Sequence, residues 1–206
     1  MKSMGLIGSF SCIWLVMAIS AIAQPSSSPA PVLDSAGRPL QRGVEYYINP
    51  AITDNGGRFT LINRNGSCPF YVGQENVSGL DGFPVIFTPF DENETVIREN
   101  NDFRVVFSAF TICVQSTAWK LGETDPETNR RLIVTGEDQS RLSTGNYFRI
   151  AASAAGDGIY EIQWCPTDVC PTCRFICGTA GGLVENGKRL LALDGSVLPV
   201  TFERKA

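Results

Sequence analysis

After residue 24 the apolar positions fall in short runs, each broken by turn residues. The runs are Tyr46–Ile48, Phe59–Ile62, Val85–Phe87, Phe103–Phe107, Leu132–Val134, Tyr147–Ile150, Tyr160–Trp164, Leu190–Leu193 and Val200–Phe202. Many alternate apolar with polar and are rich in β-branched and aromatic side chains, the composition of half-buried strands. Between them lie Asn55-Gly56-Gly57, Asn65-Gly66, Asp81-Gly82, Asp157-Gly158, Asn186-Gly187 and Asp194-Gly195, pairs suited to the positive φ angles of tight turns. No stretch sustains a 3.6-residue apolar period for the length of a helix. About a dozen short strands are expected, which makes the chain all-β and a barrel or sandwich. Aromatic-led strands recur at Tyr47, Phe103, Tyr147 and Tyr160. That hints at internal repetition, although ordinary strand composition accounts for it nearly as well.

The N-terminus breaks this pattern. Lys2 precedes an uncharged, almost wholly apolar run, Leu6 to Ala23, that ends in Ala21-Ile22-Ala23. The run is near the length of a membrane span, but its small-residue exit predicts a secretory signal peptide, residues 1–23, cleaved after Ala23. Residues 24–31 are rich in Pro, Ser and Ala and are expected to be disordered. Residues 32–206 are expected to form one domain, long enough to bury a real core. The expected destination is extracellular, or vacuolar through the secretory pathway. Loss of Lys2 leaves 16 basic against 21 acidic side chains, a formal charge of −5. A mildly acidic surface without basic clusters argues against nucleic acid and against an anionic membrane as partners.

The chain contains no histidine. Ser-His-Asp and Cys-His catalysis are therefore excluded, and the usual zinc ligand other than cysteine is missing. Carboxylate-only hydrolysis survives this test. Asp91, Glu92 and Glu94 are its candidates, but the sequence holds them at no fixed separation, and a solvated acidic loop is the simpler reading. The chain is expected not to be an enzyme.

Cys12 lies within the signal, leaving Cys68, Cys113, Cys165, Cys170, Cys173 and Cys177. An even number in an exported chain indicates disulfides, with 15 pairings open to six cysteines. The C-x4-C-x2-C-x3-C cluster invites comparison with iron–sulfur and zinc sites. An oxidising compartment disfavours both, so no cofactor or metal is expected.

Five segments, taken together, resemble the plant Kunitz-inhibitor family. Val32 to Leu40 running into Gly43 to Ile48 is similar to its opening V-x-D-x-x-G-x-x-L…Y-Y-I signature. Asn65 to Pro69 is similar to its first half-cystine. Phe107 to Cys113 with Ser116 to Trp119 matches the next block. Trp164 to Gly178 is similar to the miraculin-like branch, which carries an extra cysteine pair. Lys188 to Leu193 and Val200 to Phe202 match the close. The resemblance implies a β-trefoil, a pseudo-threefold barrel with a hairpin cap. Among the open pairings it implies Cys68 with Cys113, Cys165 with Cys177, and Cys170 with Cys173. With every mature cysteine paired within the chain, a monomer is expected.

The resemblance further implies a protease-contacting loop shortly before Phe103, at Phe90, Asp91, Glu92, Asn93, Glu94 and Thr95. Members of the family inhibit by offering a rigid, substrate-like loop, which loses little entropy on docking. A trypsin-like pocket needs Arg or Lys, and none occurs between Arg64 and Arg98. The acidic side chains would be repelled by the pocket's own Asp. Arg42 stands where the resemblance implies a loop-supporting Asn, which further weakens the trypsin reading. Two expectations follow: an inhibitor of another serine or cysteine endopeptidase, with Phe90 as a possible apolar anchor, or a non-inhibitory storage, defence or binding protein. Asn65, Asn76 and Asn93 lie in N-x-[ST] glycosylation sequons. Asn65 is the favoured acceptor, and a glycan on Asn93 would obstruct docking.

Overall fold

The computed structural model describes residues 28–206 apart from 53–55. The expected signal peptide, residues 24–27 and Asn55 lie outside the described residues. The strands are β1 (Glu45–Pro50), β2 (Phe59–Ile62), β3 (Tyr71–Gln74), β4 (Val85–Pro89), β5 (Phe103–Phe107) and β6 (Trp119–Thr124). They continue with β7 (Arg131–Thr135), β8 (Tyr147–Ala152), β9 (Tyr160–Trp164), β10 (Gly178–Glu185), β11 (Lys188–Leu193) and β12 (Val200–Arg204). The only helical element among the described residues is a 3-10 turn, Thr144–Asn146.

Six strands close a barrel in the cyclic order β1-β4-β5-β8-β9-β12. The others form three hairpins, β2–β3, β6–β7 and β10–β11, joined through β3, β7 and β11 into a cap. Each run of four strands contributes an outer barrel pair and an inner cap hairpin, three times over, which is a β-trefoil. Of the repeated aromatics, Tyr47, Phe103 and Tyr160 sit in the first strand of a unit. Tyr147 sits in a last strand and does not belong to the repeat.

The period of two in the sequence decides which face of each barrel strand turns inward. Tyr46 and Ile48, Val85 and Phe87, Phe103, Val105 and Phe107, Phe148 and Ile150, Tyr160, Ile162 and Trp164, and Val200 and Phe202 are all buried. Phe87 meets Phe103 and Phe202 edge-on at 5.3 and 5.7 Å between ring centroids, an arrangement that aligns ring edges with ring faces. Where barrel meets cap, Trp119 stacks on Phe59 at 5.9 Å and packs against Phe107 and Phe148.

Three strands lack a clear signal in the sequence: β3, β6 and β10. All contain glycine, which weakens strand propensity, and the fold explains why. A Cβ on Gly73 would lie 2.1 Å from the Arg189 carbonyl oxygen, and one on Gly181 would lie 2.5 Å from that of Ser196. In β6 the register shifts between Leu121 and Thr124 and interrupts the alternation. The turn chemistry is followed closely at Asn186-Gly187. These two residues join paired Glu185 and Lys188 with φ of 48° and 75°, the hairpin turn that matches strand twist. The expected disorder does not extend to residues 29–31. The Pro29 oxygen accepts from Arg98, the Ala30 oxygen accepts from the Glu99 amide, and Pro31 bridges Arg98.

Phe87→Ala should lower unfolding free energy by about 3–5 kcal/mol, the cost of deleting a fully enclosed aromatic ring. Urea denaturation followed by tryptophan fluorescence measures it.

Candidate functional site

The segment joining β4 to β5 leaves the barrel at Pro89 and is pinned at its base, where the Phe90 amide donates to the Asp102 carbonyl at 2.9 Å. Its returning limb lies along the N-terminal segment. The Arg42 amide donates to the Thr95 carbonyl (2.8 Å), Ile97 to Leu40 (2.9 Å) and Val32 to Ile97 (2.9 Å), while Gln41 bridges Val96. Ile97, Val32 and Leu40 are all buried in the core, so this limb is held by packing as well as by backbone bonds.

The tip is organised locally. The Asp91 carboxylate accepts from the amide and side chain of Asn93, at 2.9 and 3.1 Å, and its carbonyl accepts from the Glu94 amide. Arg98 joins Glu94 at 2.7 Å. Arg42 reaches across and donates through Nη1 to the Glu92 carbonyl at 2.6 Å. The residue that stands in place of the expected loop-supporting Asn therefore does contact the loop, through one exposed hydrogen bond.

The six predicted loop residues therefore do come together on one projection. Asp91, Glu92, Asn93 and Thr95 are exposed at its tip. Phe90 lies at the base, 41% exposed, with its ring edge-on to Tyr147 at 5.5 Å, so the apolar candidate is not at the point of greatest protrusion. Of the three carboxylates considered for hydrolysis, Asp91 is engaged in the turn and Glu94 with Arg98, while Glu92 is exposed at the tip.

Behind the loop lies an open cleft of ≈ 690 Å³, lined in part by Phe90, Arg98, Asp102 and Asp168. Its floor is a buried charge network absent from the sequence reading. Asp102, with no side-chain exposure, accepts from Arg149 Nη2 at 2.5 Å and from the amides of Asp168 (2.7 Å) and Val169 (3.1 Å). The Asp102 amide donates in return to the Asp168 carboxylate, and Arg149 also donates to Thr167. Burial pushes the Asp102 carboxyl above the usual carboxylate range, against the pull of Arg149 and the Val169 amide. This network fastens the start of the cysteine cluster to the end of the candidate loop.

The bridges are Cys68–Cys113, Cys165–Cys177 and Cys170–Cys173. Asn65, Asn76 and Asn93 are all exposed, on separate loops. Close to Asn65, Arg64 pairs with Asp125 and Glu185, each at 2.7 Å. The Arg64 guanidinium, helped by Thr128, lowers the Asp125 carboxyl to about 2.

Residues 32–204 match the Kunitz legume family, described as trypsin and protease inhibitor. The chain is 50% identical over 195 residues to Kunitz type trypsin inhibitor 104 of Medicago truncatula, covering 94% of each chain. It is 33% identical over 218 residues to miraculin of Synsepalum dulcificum, covering 98% of this chain and 97% of that one. The structure is similar to that of the rice bifunctional alpha-amylase/subtilisin inhibitor from Oryza sativa, with a TM-score of 0.70 and 31% identity over 86% of this chain and all of that one.

Asp102→Ala should cost about 3 kcal/mol by removing the buried partner of Arg149 and leaving it only the longer carboxylate contact with Asp168, and should speed hydrogen exchange at the Asp168 and Val169 amides. Thermal unfolding and exchange mass spectrometry measure the two effects. The Asp125 carboxyl is lower in the folded chain than in the unfolded one, so its stabilisation is complete above about pH 4 and fades as pH falls towards 2. Asp102 has the opposite sign: its raised value makes stability decline as pH rises from the ordinary carboxylate range through the folded value. Asp125→Asn should therefore shrink the acid-induced loss seen in denaturant titrations at stepped pH.

Proposed function

The chain belongs to the plant Kunitz family of trypsin and protease inhibitors, and from that premise we propose that it is a secreted inhibitor of an endopeptidase other than trypsin. The observation that carries this reading is the ordered projection from Phe90 to Thr95. It is tied at its base by Asp102, along its return by Leu40 and Arg42, and at its tip by the Arg42 bond to the Glu92 carbonyl. A loop already fixed in one conformation gives up little freedom on docking, so contact energy appears as affinity. Inhibition of this kind requires no bond-making by the inhibitor, in keeping with a chain that lacks histidine.

The exclusion of trypsin rests on charge. The projection offers Asp91, Glu92 and Glu94 and no basic residue. An acidic tip is repelled by the carboxylate of a trypsin-type pocket. A protease with an apolar or basic pocket meets no such penalty, and the rice relative is named for subtilisin inhibition. The apolar run from Leu6 to Ala23, read as a leader, supports export, and the intrachain bridges support a monomer.

A second reading, a non-inhibitory miraculin-like protein, is favoured by one observation: Asn93, at the tip of the projection, is exposed and lies in a sequon. A glycan there would cover the docking surface.

The deglycosylated protein should leave trypsin active at micromolar concentration and inhibit at least one of chymotrypsin, subtilisin and papain. Failure against all of them, with or without glycan, would favour the second reading. For a protease engaged through this projection, Arg42→Ala should weaken inhibition about tenfold by loosening the tip, the scale of one charge-assisted hydrogen bond. Steady-state inhibition constants test it.

A further inference from the structure

We propose that Asp168, at the head of the cysteine-bridged segment 165–177, is a positioning residue for inhibition. It holds the backbone on which the outgoing limb of the β4–β5 projection rests, and it does so without touching the protease. This role rests on the inhibitor reading and deepens it, by naming what keeps the projection in its docking shape.

The two limbs of the projection are held unequally. The returning limb is paired with the N-terminal segment through Thr95, Val96 and Ile97. The outgoing limb has no such neighbour. Among the described residues, one backbone-to-backbone hydrogen bond joins residues 90–93 to the rest of the fold, the Phe90 amide donating to the Asp102 carbonyl at 2.9 Å. Asp91, Glu92 and Asn93 are exposed and line the open cleft, so packing does little to fix them. The direction in which this limb leaves the barrel is therefore set by where the Asp102 carbonyl is held.

Asp102 is held by an exchange of bonds with Asp168. The Asp102 amide donates to Asp168 Oδ2 at 2.8 Å, and the Asp168 amide donates to Asp102 Oδ2 at 2.7 Å. Each carboxylate thus caps the other residue's backbone, which fixes orientation as well as distance. The Asp102 side chain is fully buried, whereas that of Asp168 is 42% exposed. Asp168 therefore contributes direction rather than core packing.

The backbone of Asp168 has little freedom of its own. The Cys165–Cys177 bridge closes the segment, and Cys170–Cys173 closes a smaller turn inside it. On either side of Asp168, the Thr167 amide donates to the Cys165 carbonyl at 2.8 Å and the Cys170 amide to that of Pro166 at 3.2 Å. Two nested bridges are thereby connected to the projection through Asp168, Asp102 and Phe90 in turn. Removing alternative conformations before docking is what makes a loop preorganised.

The acceptor oxygen of Asp168 is separable from its charge: Asn keeps the first and Ala keeps neither. The test compares the disulfide-bonded parent with Asp168→Ala and Asp168→Asn against chymotrypsin, subtilisin and papain. It reads inhibition constants, hydrogen exchange of the peptide spanning residues 88–95, and the masses of fragments formed during incubation with protease. Asp168→Ala should weaken inhibition about tenfold, the scale of one hydrogen bond to a charged acceptor, chiefly through faster dissociation. It should also speed exchange in residues 88–95 and admit cleavage confined to residues 90–95. Asp168→Asn should stay within about threefold of the parent. Unchanged inhibition in Asp168→Ala would overturn this proposal, as would equal weakening in both variants, which would assign the effect to charge. Cuts spread along the whole chain would also overturn it, because they report general loss of stability. All three results leave the inhibitor reading intact. A parent that inhibits no endopeptidase removes that reading, and this proposal with it.

Discussion

The antiparallel pairing of β1 with β12 joins the first strand of the fold to the last and closes the barrel. Its register runs from Tyr46 opposite Arg204 to Pro50 opposite Val200, and Val200 in turn meets Tyr160 of β9. Without this ladder the six barrel strands would be an open sheet with two unpaired edges, and Phe87 would lose Phe202 as a wall. The segment before β1 depends on the same closure. The Ser35 amide donates to the Phe202 carbonyl, and the Gly43 amide donates to that of Phe87. Asp34 organises the intervening turn by accepting from the amides of Ala36 and Arg38. This segment then supplies Leu40, Gln41 and Arg42 to the β4–β5 projection. The firmness of a surface loop is thus traced to strand pairing on the far side of the sequence.

Much of the fold was legible because the barrel strands obey a simple rule, inward and outward side chains in turn. Phe103-Arg104-Val105-Val106-Phe107 and Tyr160-Glu161-Ile162-Gln163-Trp164 announce both their state and their buried face. The cap was less legible for a steric reason. Where Gly73 and Gly181 cross neighbouring backbone, the packing demands the absence of a side chain, and that absence erases the local signal for a strand. The candidate loop could be located by its family resemblance but not understood from it. Whether Arg42 weakens or supports the projection depends on a 50-residue separation closing to a hydrogen bond, and no local pattern encodes that.

The buried pair of Asp102 and Arg149 shows the same limit from another side. Nothing in Asn101-Asp102-Phe103 marks a carboxylate destined for full burial. Its value lies in directionality: it satisfies two amides at the head of the cysteine cluster and one guanidinium from β8. An apolar side chain there would fill space without fixing how the cluster is oriented. Desolvation makes such a pair a weak source of net stability; what it does in this fold is tie the head of the cluster to the end of the β4–β5 segment.

The placement of two surface loops at the two ends of β5 has a consequence for how such a protein diversifies. Five residues of strand span about 17 Å, beyond the range at which substitutions ordinarily influence one another's energetic effects. Changes in residues 90–95 and in residues 108–118 should accumulate almost additively, each loop free to drift in sequence while the strand between them stays under packing constraint. A gene copy carrying this scaffold would thereby hold two surface loops that can each change in sequence without the other having to follow.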